Sequence, residues 1–289
     1  MKVASFFAGV GGIDMGFEKA GFDVIWANEF DKNAAKTYKL NFRNKLIVGD
    51  IRNIDAEDVP NFDIMIGGFP CQAFSVAGYR KGFEDKRGNL FFELERIYKE
   101  KKPQVIFLEN VKNLIGHDGG NTYKIIKKSL NDNGYYVKEK VLNASEYGNL
   151  PQNRERIYIV AFLDEKAYNA FEFPESINLT NKLQDCIDYD KKQEDKYYYT
   201  SDSCKFYSEL KKSVTNPNTV YQWRRIYVRE NKSNLCPTLT ANMGTGGHNV
   251  PIIYTNIGIR KLTPRECFNI MGYPKAYKLP DKMANSHLY

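Results

Sequence analysis

"KVASFFAGVGGIDMGFEKAG", Lys2 to Gly21, changes its period half-way along. The first part is an apolar run that stops at glycines and reads as a buried strand; the second has helical spacing and closes at Gly21. Outward from it the alternation repeats. "DVIWANE" (23–29), "KLIVGDI" (45–51), "FDIMIGG" (62–68), "QVIFLENV" (104–111), "YYVKEKVLNA" (135–144) and "RIYIVAFL" (156–163) read as strands. "DKNAAKTYKLNF" (31–42), "NLFFELERIYKEKK" (89–102) and "GNTYKIIKKSLNDNG" (120–134) read as helices between them. Continuous apolar strands separated by helices belong to a sheet covered on both faces. The expected fold class is α/β, a doubly wound, mostly parallel sheet.

A chain of 289 residues with 42% hydrophobic and 27% charged residues is an ordinary globule, long enough for one large lobe and a smaller companion. No stretch approaches the roughly 18 apolar residues that cross a bilayer, and the opening run meets glycines too early for a secretory signal. A cytoplasmic location with no membrane partner is expected. Cys71, Cys186, Cys204, Cys236 and Cys267 are odd in number, contain no C-x-x-C pair and lie apart from the histidines, so neither a disulfide framework nor a metal site is expected. The net charge of +7 favours a polyanionic partner without identifying one.

Doubly wound sheets bind ligands beyond the carboxyl ends of their strands, at the point where strand order reverses. The strand ends therefore supply the candidates: "FAGVGG" (7–12), Asn28 and Glu29, Asp50, Cys71, and Glu109 with Asn110. Glu29 follows Gly9 by 20 residues, the separation at which an acid can bond a ribose hydroxyl. "GVGG" lacks the third glycine of the dinucleotide fingerprint, and Asp50 suits an adenine amino group. Each acid alone reads as a helix cap or a solvated acid. Together they describe a site for an adenosine without a pyrophosphate.

"FAGVGG", "NE", "GDI", "GGFPCQAFS", "ENV", "PQNRERIYIV" and "RKLTPREC" stand in the order found in the DNA (cytosine-5) methyltransferases of bacterial restriction-modification systems. The chain resembles that family over nearly its whole length. The resemblance implies the S-adenosylmethionine-dependent methyltransferase fold with a smaller, irregular target-recognition domain. Residues 1–168 would be catalytic, 169–257 would read the target, and 258–289 would return to the catalytic domain. S-adenosylmethionine would be the methyl donor, with no metal. Phe7, Gly9 and Gly11 would line its methionine side, Glu29 its ribose, Asp50 and Ile51 its adenine, Phe30 the adenine face, with Pro70 also against the donor. For Phe7 and Phe30 the alternative is ordinary core packing.

The resemblance also gives Cys71 a task. Cytosine C5 is a poor nucleophile, and a thiolate added at C6 turns the ring into an enamine that can attack a sulfonium methyl. Glu109 would partner N3 and the exocyclic amine, and Arg154 or Arg156 would meet O2. Alternation along one strand would let Gln152, Arg154 and Arg156 share a face. The base that later removes the C5 proton is not identifiable. A stacked cytosine cannot react in this way, so the double-stranded DNA partner must release it.

Ser75, Arg80, Lys81 and Arg87 in the glycine-rich segment after Cys71 are candidate phosphate contacts, and Gln222, Arg224, Arg225, Arg229 and Thr238 are candidate DNA contacts in the second half. Gln222 would fill the gap left by the flipped base. Family members normally continue past "RKLTPREC" into a last block that is expected where this sequence reads "MANSHLY". That departure admits a second polypeptide supplying the block, or an inactive or split subunit; a tRNA cytosine-5 methyltransferase is the other alternative. The cognate endonuclease would be a genetic partner only.

Overall fold

Strand β1 (Lys2–Phe6) is buried beyond its first residue and pairs in parallel with both β2 (Asp23–Glu29) and β4 (Ile64–Gly67). The computed structural model of the protein describes residues 1–70, 90–224, 226–244 and 250–289. Among these, β3 (Lys45–Val48), β5 (Val105–Val111), β6 (Tyr136–Asn143) and β8 (Glu155–Phe162) complete a seven-stranded sheet of order β3-β2-β1-β4-β5-β8-β6. The pairs from β3 to β5 are parallel, and β5 with β8 is antiparallel. The doubly wound reading of the sequence holds.

Both faces of this sheet are dry. Ala4, Phe6, Trp26, Met65, Ile106 and Leu108 enter one buried cluster, with Leu94 and Ile97 of the helix Leu90–Lys101 packed over them. Val3, Val24, Ile64 and Ile66 point into another, covered by Ile13 and Phe17 of helix α1 (Gly12–Lys19). Burial on alternate sides explains why the strands read as unbroken apolar runs. Gly21, at φ 86°, ends α1 by donating its N–H to the Glu18 carbonyl, a left-handed position that suits glycine. Asp31 caps helix α2 (Lys32–Asn41), its Oδ1 accepting from the N–H groups of Asn33 and Ala34. No helix among the described residues is long and apolar enough to cross a membrane.

The chain divides into two compact units, residues 1–142 with 155–174, and residues 143–154 with 175–289. In the second, β9 (Tyr221–Arg224), β10 (Tyr227–Glu230), β12 (Pro251–Tyr254) and β13 (Ile259–Lys261) form an antiparallel sheet of order β10-β9-β12-β13. The short β7 (Gln152–Asn153) pairs in parallel with β11 (Cys236–Pro237). Residues 258–289, expected to return to the first domain, cluster with this unit, where β13 extends its sheet. Cys186, Cys204, Cys236 and Cys267 are free thiols.

Candidate active site

In the large sheet the strand order reverses between β1 and β4, which places a crevice at their carboxyl ends. The last rung there is Asn28–Phe6–Gly67–Leu108. One residue further come Glu29, Phe7, Gly68 and Glu109, so the parallel register alone brings the expected site residues to one level.

The first turn is built on its glycines. Phe7 has φ 54°, Gly9 φ 57° and Gly11 φ 85°, three left-handed residues within five positions. Such backbone is unfavourable for phenylalanine and persists where the surroundings impose it, as they do around functional sites. A β-carbon at Gly11 would stand 2.2 Å from the Phe42 ring, so the turn has no room for one there. The N–H of Ala8 donates to the Asn28 carbonyl at 3.0 Å, and the Asn28 amide donates to the carbonyls of Ile47 and Gly49. Three strand ends are thereby joined.

Glu29 is the hub of this end. Its Oε2 accepts from the Gly9 N–H and its Oε1 from the Asp31 N–H, both at 2.6 Å, so its carboxylate orients the glycine turn and the start of α2 together. Phe30 beside it is 68% exposed, which rules out core packing, and it lines a cavity of about 460 Å³ with Asp31, Lys32, Val48 and Gly49. Phe7 is half-buried against the main core cluster. Ile51 lies within that cluster, at 2% exposure. Asp50 caps the short turn Ile51–Asn53, and its carboxylate is engaged by the Arg52 guanidinium, which holds it below the usual carboxylate range. Pro70 is exposed.

At the other side of the crevice the Asn110 amide donates to the Phe69 carbonyl at 2.8 Å, tying the segment after β4 to β5. Arg156 Nε lies 2.9 Å from Glu109 Oε1. A β-carbon at Gly68 would approach Glu109 Oε2 to 3.3 Å, so a bare backbone faces that oxygen. Cys71, Ser75, Arg80, Lys81, Arg87 and Arg225 lie outside the described residues.

The two arginines of "QNRERI" separate. The ladder breaks at Arg154, between β7 and β8, and Arg154 falls in the second unit while Arg156 falls in the first. Gln152, Arg154 and Arg156 therefore do not alternate along one strand as expected. Asn143 imposes the break, its Oδ1 accepting from the Arg154 N–H at 3.0 Å while the Arg154 carbonyl accepts from the Ala144 N–H.

In the second unit Gln222 and Arg229 are cross-strand partners on β9 and β10, as are Arg224 and Tyr227. Alternation puts all four on one face of the hairpin. Gln222 is buried at 8% exposure, whereas Arg229 is exposed. Both line a cavity of about 620 Å³ with Asn153, Lys232, Ser233 and Pro237. The Thr238 hydroxyl donates internally, to the Asn153 carbonyl at 2.7 Å.

Residues 1–289 match the family described as C-5 cytosine-specific DNA methylase. The chain belongs to that family. The methylase is 62% identical over 291 residues to the type II methyltransferase M.Bsp6I of Bacillus sp. (strain RFL6), covering 100% of this chain and 92% of that protein. It is 40% identical to the type II methyltransferase M.HhaI of Haemophilus parahaemolyticus, over 96% of this chain and 86% of that one. Among solved structures, a Spodoptera frugiperda DNMT2 variant superposes with a TM-score of 0.78 at 19% identity, covering 99% and 93% of the two chains. S. pombe Dnmt2 methyltransferase does so with 0.74 at 18%, covering 100% and 92%. At that identity the solved structures speak for the fold alone. Membership makes the methylase an enzyme of cytosine C5 methylation in DNA, for which S-adenosylmethionine is the implied methyl donor.

One polar cluster of the methylase escaped the sequence reading. Asp14 on α1 is wholly buried, accepting from the Ser5 hydroxyl at 2.9 Å and from the Tyr38 hydroxyl at 2.7 Å, with Asn44 bonded to Tyr38 in turn. Burial pushes its pKa up to about 6 against the lowering effect of those two hydrogen bonds. The signal was an acid three residues before Phe17, on the helix face that packs inward.

Proposed function

We propose that the chain is the modification enzyme of a restriction-modification system. It would methylate C5 of a flipped-out cytosine in a short duplex DNA sequence, through an adduct between Cys71 and C6. The observation that carries this reading is the convergence of Glu29, Gly9, Gly68 and the Glu109–Arg156 pair at the switch point of the sheet. The type II methyltransferase names of the two relatives support DNA as the substrate.

The residues present suit the donor. Glu29 offers carboxylate oxygens whose remaining lone pairs can take ribose hydroxyls, and exposed Phe30 offers a ring face beside an apolar cavity for adenine. Space at Gly9 is open where a β-carbon would project, which admits the methionine portion. Asp50 is the less direct adenine partner, because Arg52 occupies its carboxylate. When bound, S-adenosylmethionine supplies an electrophilic methyl group.

The chain's own groups prepare the base. The Cys71 thiolate forms a bond to C6 while the C5–C6 π pair is displaced toward C5, and a proton delivered to N3 by the Glu109 carboxyl relieves the charge that develops there. Arg156 holds that carboxyl through Oε1, leaving Oε2 directed at the bare Gly68 backbone. Arg154 is the candidate for O2. Loss of the C5 proton later restores the double bond and expels the thiolate. Gln222, Arg224 and Arg229 form the face that would read the duplex, and Thr238 would act through the backbone it supports. The comparisons lend no support to a second polypeptide. Bisulfite sequencing of DNA from cells expressing the chain tests the reading: one short methylated sequence context is expected, abolished by Cys71→Ser. Methylation persisting in that variant would overturn it, and incorporation into tRNA rather than duplex DNA would favour the alternative substrate.

A further inference from the structure

The glycine turn from Phe7 to Gly11 is gripped from two sides. On the crevice side Glu29 accepts the Gly9 N–H. Behind it stands a set of polar groups to which the chemistry assigns no task. Ser5, just before the turn on β1, donates its hydroxyl to Asp14 Oδ2 at 2.9 Å, and Asp14 lies just after the turn on α1. That bond closes a loop across the turn. Asp14 Oδ1 accepts from the Tyr38 hydroxyl of α2 at 2.7 Å, the Tyr38 ring stacks on Phe42 with centroids 4.4 Å apart, and the Phe42 ring fills the space that a β-carbon would need at Gly11. One carboxyl group therefore joins β1, α1 and α2 behind the left-handed residues Phe7, Gly9 and Gly11.

A buried acid is an unfavourable way to pin a turn unless its charge has a use. Asp14 and Tyr38 are wholly buried and Ser5 nearly so. The titratable groups that face the carboxyl are Tyr38 from α2 and Glu18 one turn further along α1, where Glu18 opposes a second negative charge. From β1 comes only the Ser5 hydroxyl, and Asn44 reaches the carboxyl through Tyr38. Burial is the largest effect and lifts the pKa to about 6, so both forms are populated a little below neutrality.

The two forms direct the hydrogen bonds differently. An ionised carboxylate takes the protons of both hydroxyls, in charge-assisted bonds of the shorter and stronger kind. A protonated carboxyl must donate through one oxygen, so one hydroxyl has to turn round. Tyr38 has a place to turn to: Asn44 Oδ1 stands 3.2 Å from its hydroxyl oxygen and Asn44 Nδ2 3.0 Å from it. Ionisation thus ties Tyr38, and with it the ring against Gly11, to α1. Protonation lets the Tyr38 proton pass to Asn44.

We infer that Asp14 is a positioning residue for the donor turn, whose ionised form holds Ser5 and Tyr38 together and so sets the glycine backbone for S-adenosylmethionine. This role rests on the reading of the crevice as the donor site. Forming the charge lowers the stability of the fold and tightens donor binding, a trade that active sites commonly make.

The test is calorimetric titration of the full chain with S-adenosylhomocysteine, which lacks the sulfonium charge and so removes any direct attraction between the carboxylate and that cation. The parent should bind about fivefold more tightly at pH 7.5 than at pH 5, the lower end of ordinary coupling between two sites. By reciprocity, binding should release a fraction of a proton near pH 6, read by repeating the titration in buffers of different ionisation enthalpy. Asp14→Asn imitates the protonated acid, so its affinity should match the parent's at pH 5 and stay there, about fivefold weaker at pH 7.5. Tyr38→Phe keeps the ring on Phe42 but withdraws a donor from the carboxylate, and the midpoint of the affinity profile should move to higher pH. Phe30→Ala is the control for the underlying reading and should weaken binding equally at both pH values. If it does so while the parent and Asp14→Asn share one pH profile, Asp14 only packs the fold and the positioning role is wrong. Should Asp14→Asn fail to fold, a Tyr38→Phe midpoint equal to the parent's overturns the role in the same way. If Phe30→Ala binds like the parent, the donor site is misplaced and the role of Asp14 falls with it.

Discussion

Arg156 Nε lies 2.9 Å from Glu109 Oε1 although the two residues are not opposite each other: Arg156 pairs with Val111 and Glu109 with Tyr158 across the antiparallel β5–β8 seam. They are diagonal neighbours on one face, a separation that a long side chain spans. Their side chains are only 14% and 21% exposed, so the ion pair is screened less than a surface one. It fixes one carboxyl oxygen and thereby the direction of the other.

Glu109→Gln keeps the shape of that carboxyl but cannot deliver the same proton, and a loss of about a hundredfold or more in the methyl-transfer step is expected. Arg156→Ala should lower the same step by about a hundredfold, and Arg156→Lys should recover little, because an ammonium does not reproduce the guanidinium geometry. The double variant should be scarcely worse than either single one, since the residues act as a unit. Single-turnover methyl incorporation checks all three, with DNA affinity measured in parallel and expected to change little.

Glu29 serves two backbone donors, so its removal should be felt in both binding and stability. Glu29→Ala leaves the Gly9 and Asp31 N–H groups without their acceptor, at about 1–3 kcal/mol for each that water does not reach. The donor affinity should fall at the same time by about tenfold, the value of one lost charge-assisted hydrogen bond. Calorimetric titration with S-adenosylhomocysteine, alongside a urea melt, separates the two effects. Unchanged affinity in a destabilised protein would assign Glu29 a purely structural task.

The large sheet was legible because its information is local. Apolar runs, helix spacing and the glycines at 9, 11 and 21 are written in consecutive residues, and the parallel register then brings Glu29, Gly68 and Glu109 to one level. What consecutive residues do not reveal depends on contacts between separate segments. The break at Arg154 is imposed by Asn143, eleven residues away. The placement of residues 258–289 with the second unit depends on β13 pairing with β12, an antiparallel contact that no period announces. Gln222 is buried because its strand neighbours both β10 and β12, which the sequence around it does not announce.

Asp14 makes stability depend on pH with a sign that can be worked out. Its folded pKa of about 6 lies above the ordinary 3.8, so the folded state holds a proton that the unfolded chain gives up. Stability from this group is fully present below the unfolded value and is lost as pH rises through about 6. A shift of about two units corresponds to about 3 kcal/mol. Asp14→Asn cannot titrate; its carbonyl oxygen can accept from one of the two hydroxyls while its NH2 donates to the oxygen of the other. The parent should therefore lose about 2.4 kcal/mol relative to Asp14→Asn between pH 4 and pH 7, because other groups titrate alike in both. Urea melts at the two pH values measure it, and parallel pH profiles would sink the assignment.

Arg260 and Glu266 of "RKLTPREC" organise the second unit from inside. Arg260 is fully buried and meets Glu266 through two bonds, Nη1 to Oε2 at 2.8 Å and Nη2 to Oε1 at 2.7 Å. The same carboxylate accepts from the N–H groups of Thr263 and Asp188, so one ion pair joins β13, the N-terminus of the helix Pro264–Ile270 and the segment at residue 188. Replacing a buried pair by apolar residues of similar volume is often neutral, whereas removing one partner strands a buried charge. Glu266→Ala should therefore destabilise the protein by about 3–5 kcal/mol. Arg260→Met with Glu266→Leu should recover part of that loss but not all, because the Thr263 and Asp188 N–H groups still lose their acceptor. Urea unfolding followed by far-ultraviolet circular dichroism decides between the charge and the cap. A double variant as unstable as Glu266→Ala would show that the helix cap, rather than the stranded guanidinium, carries the loss.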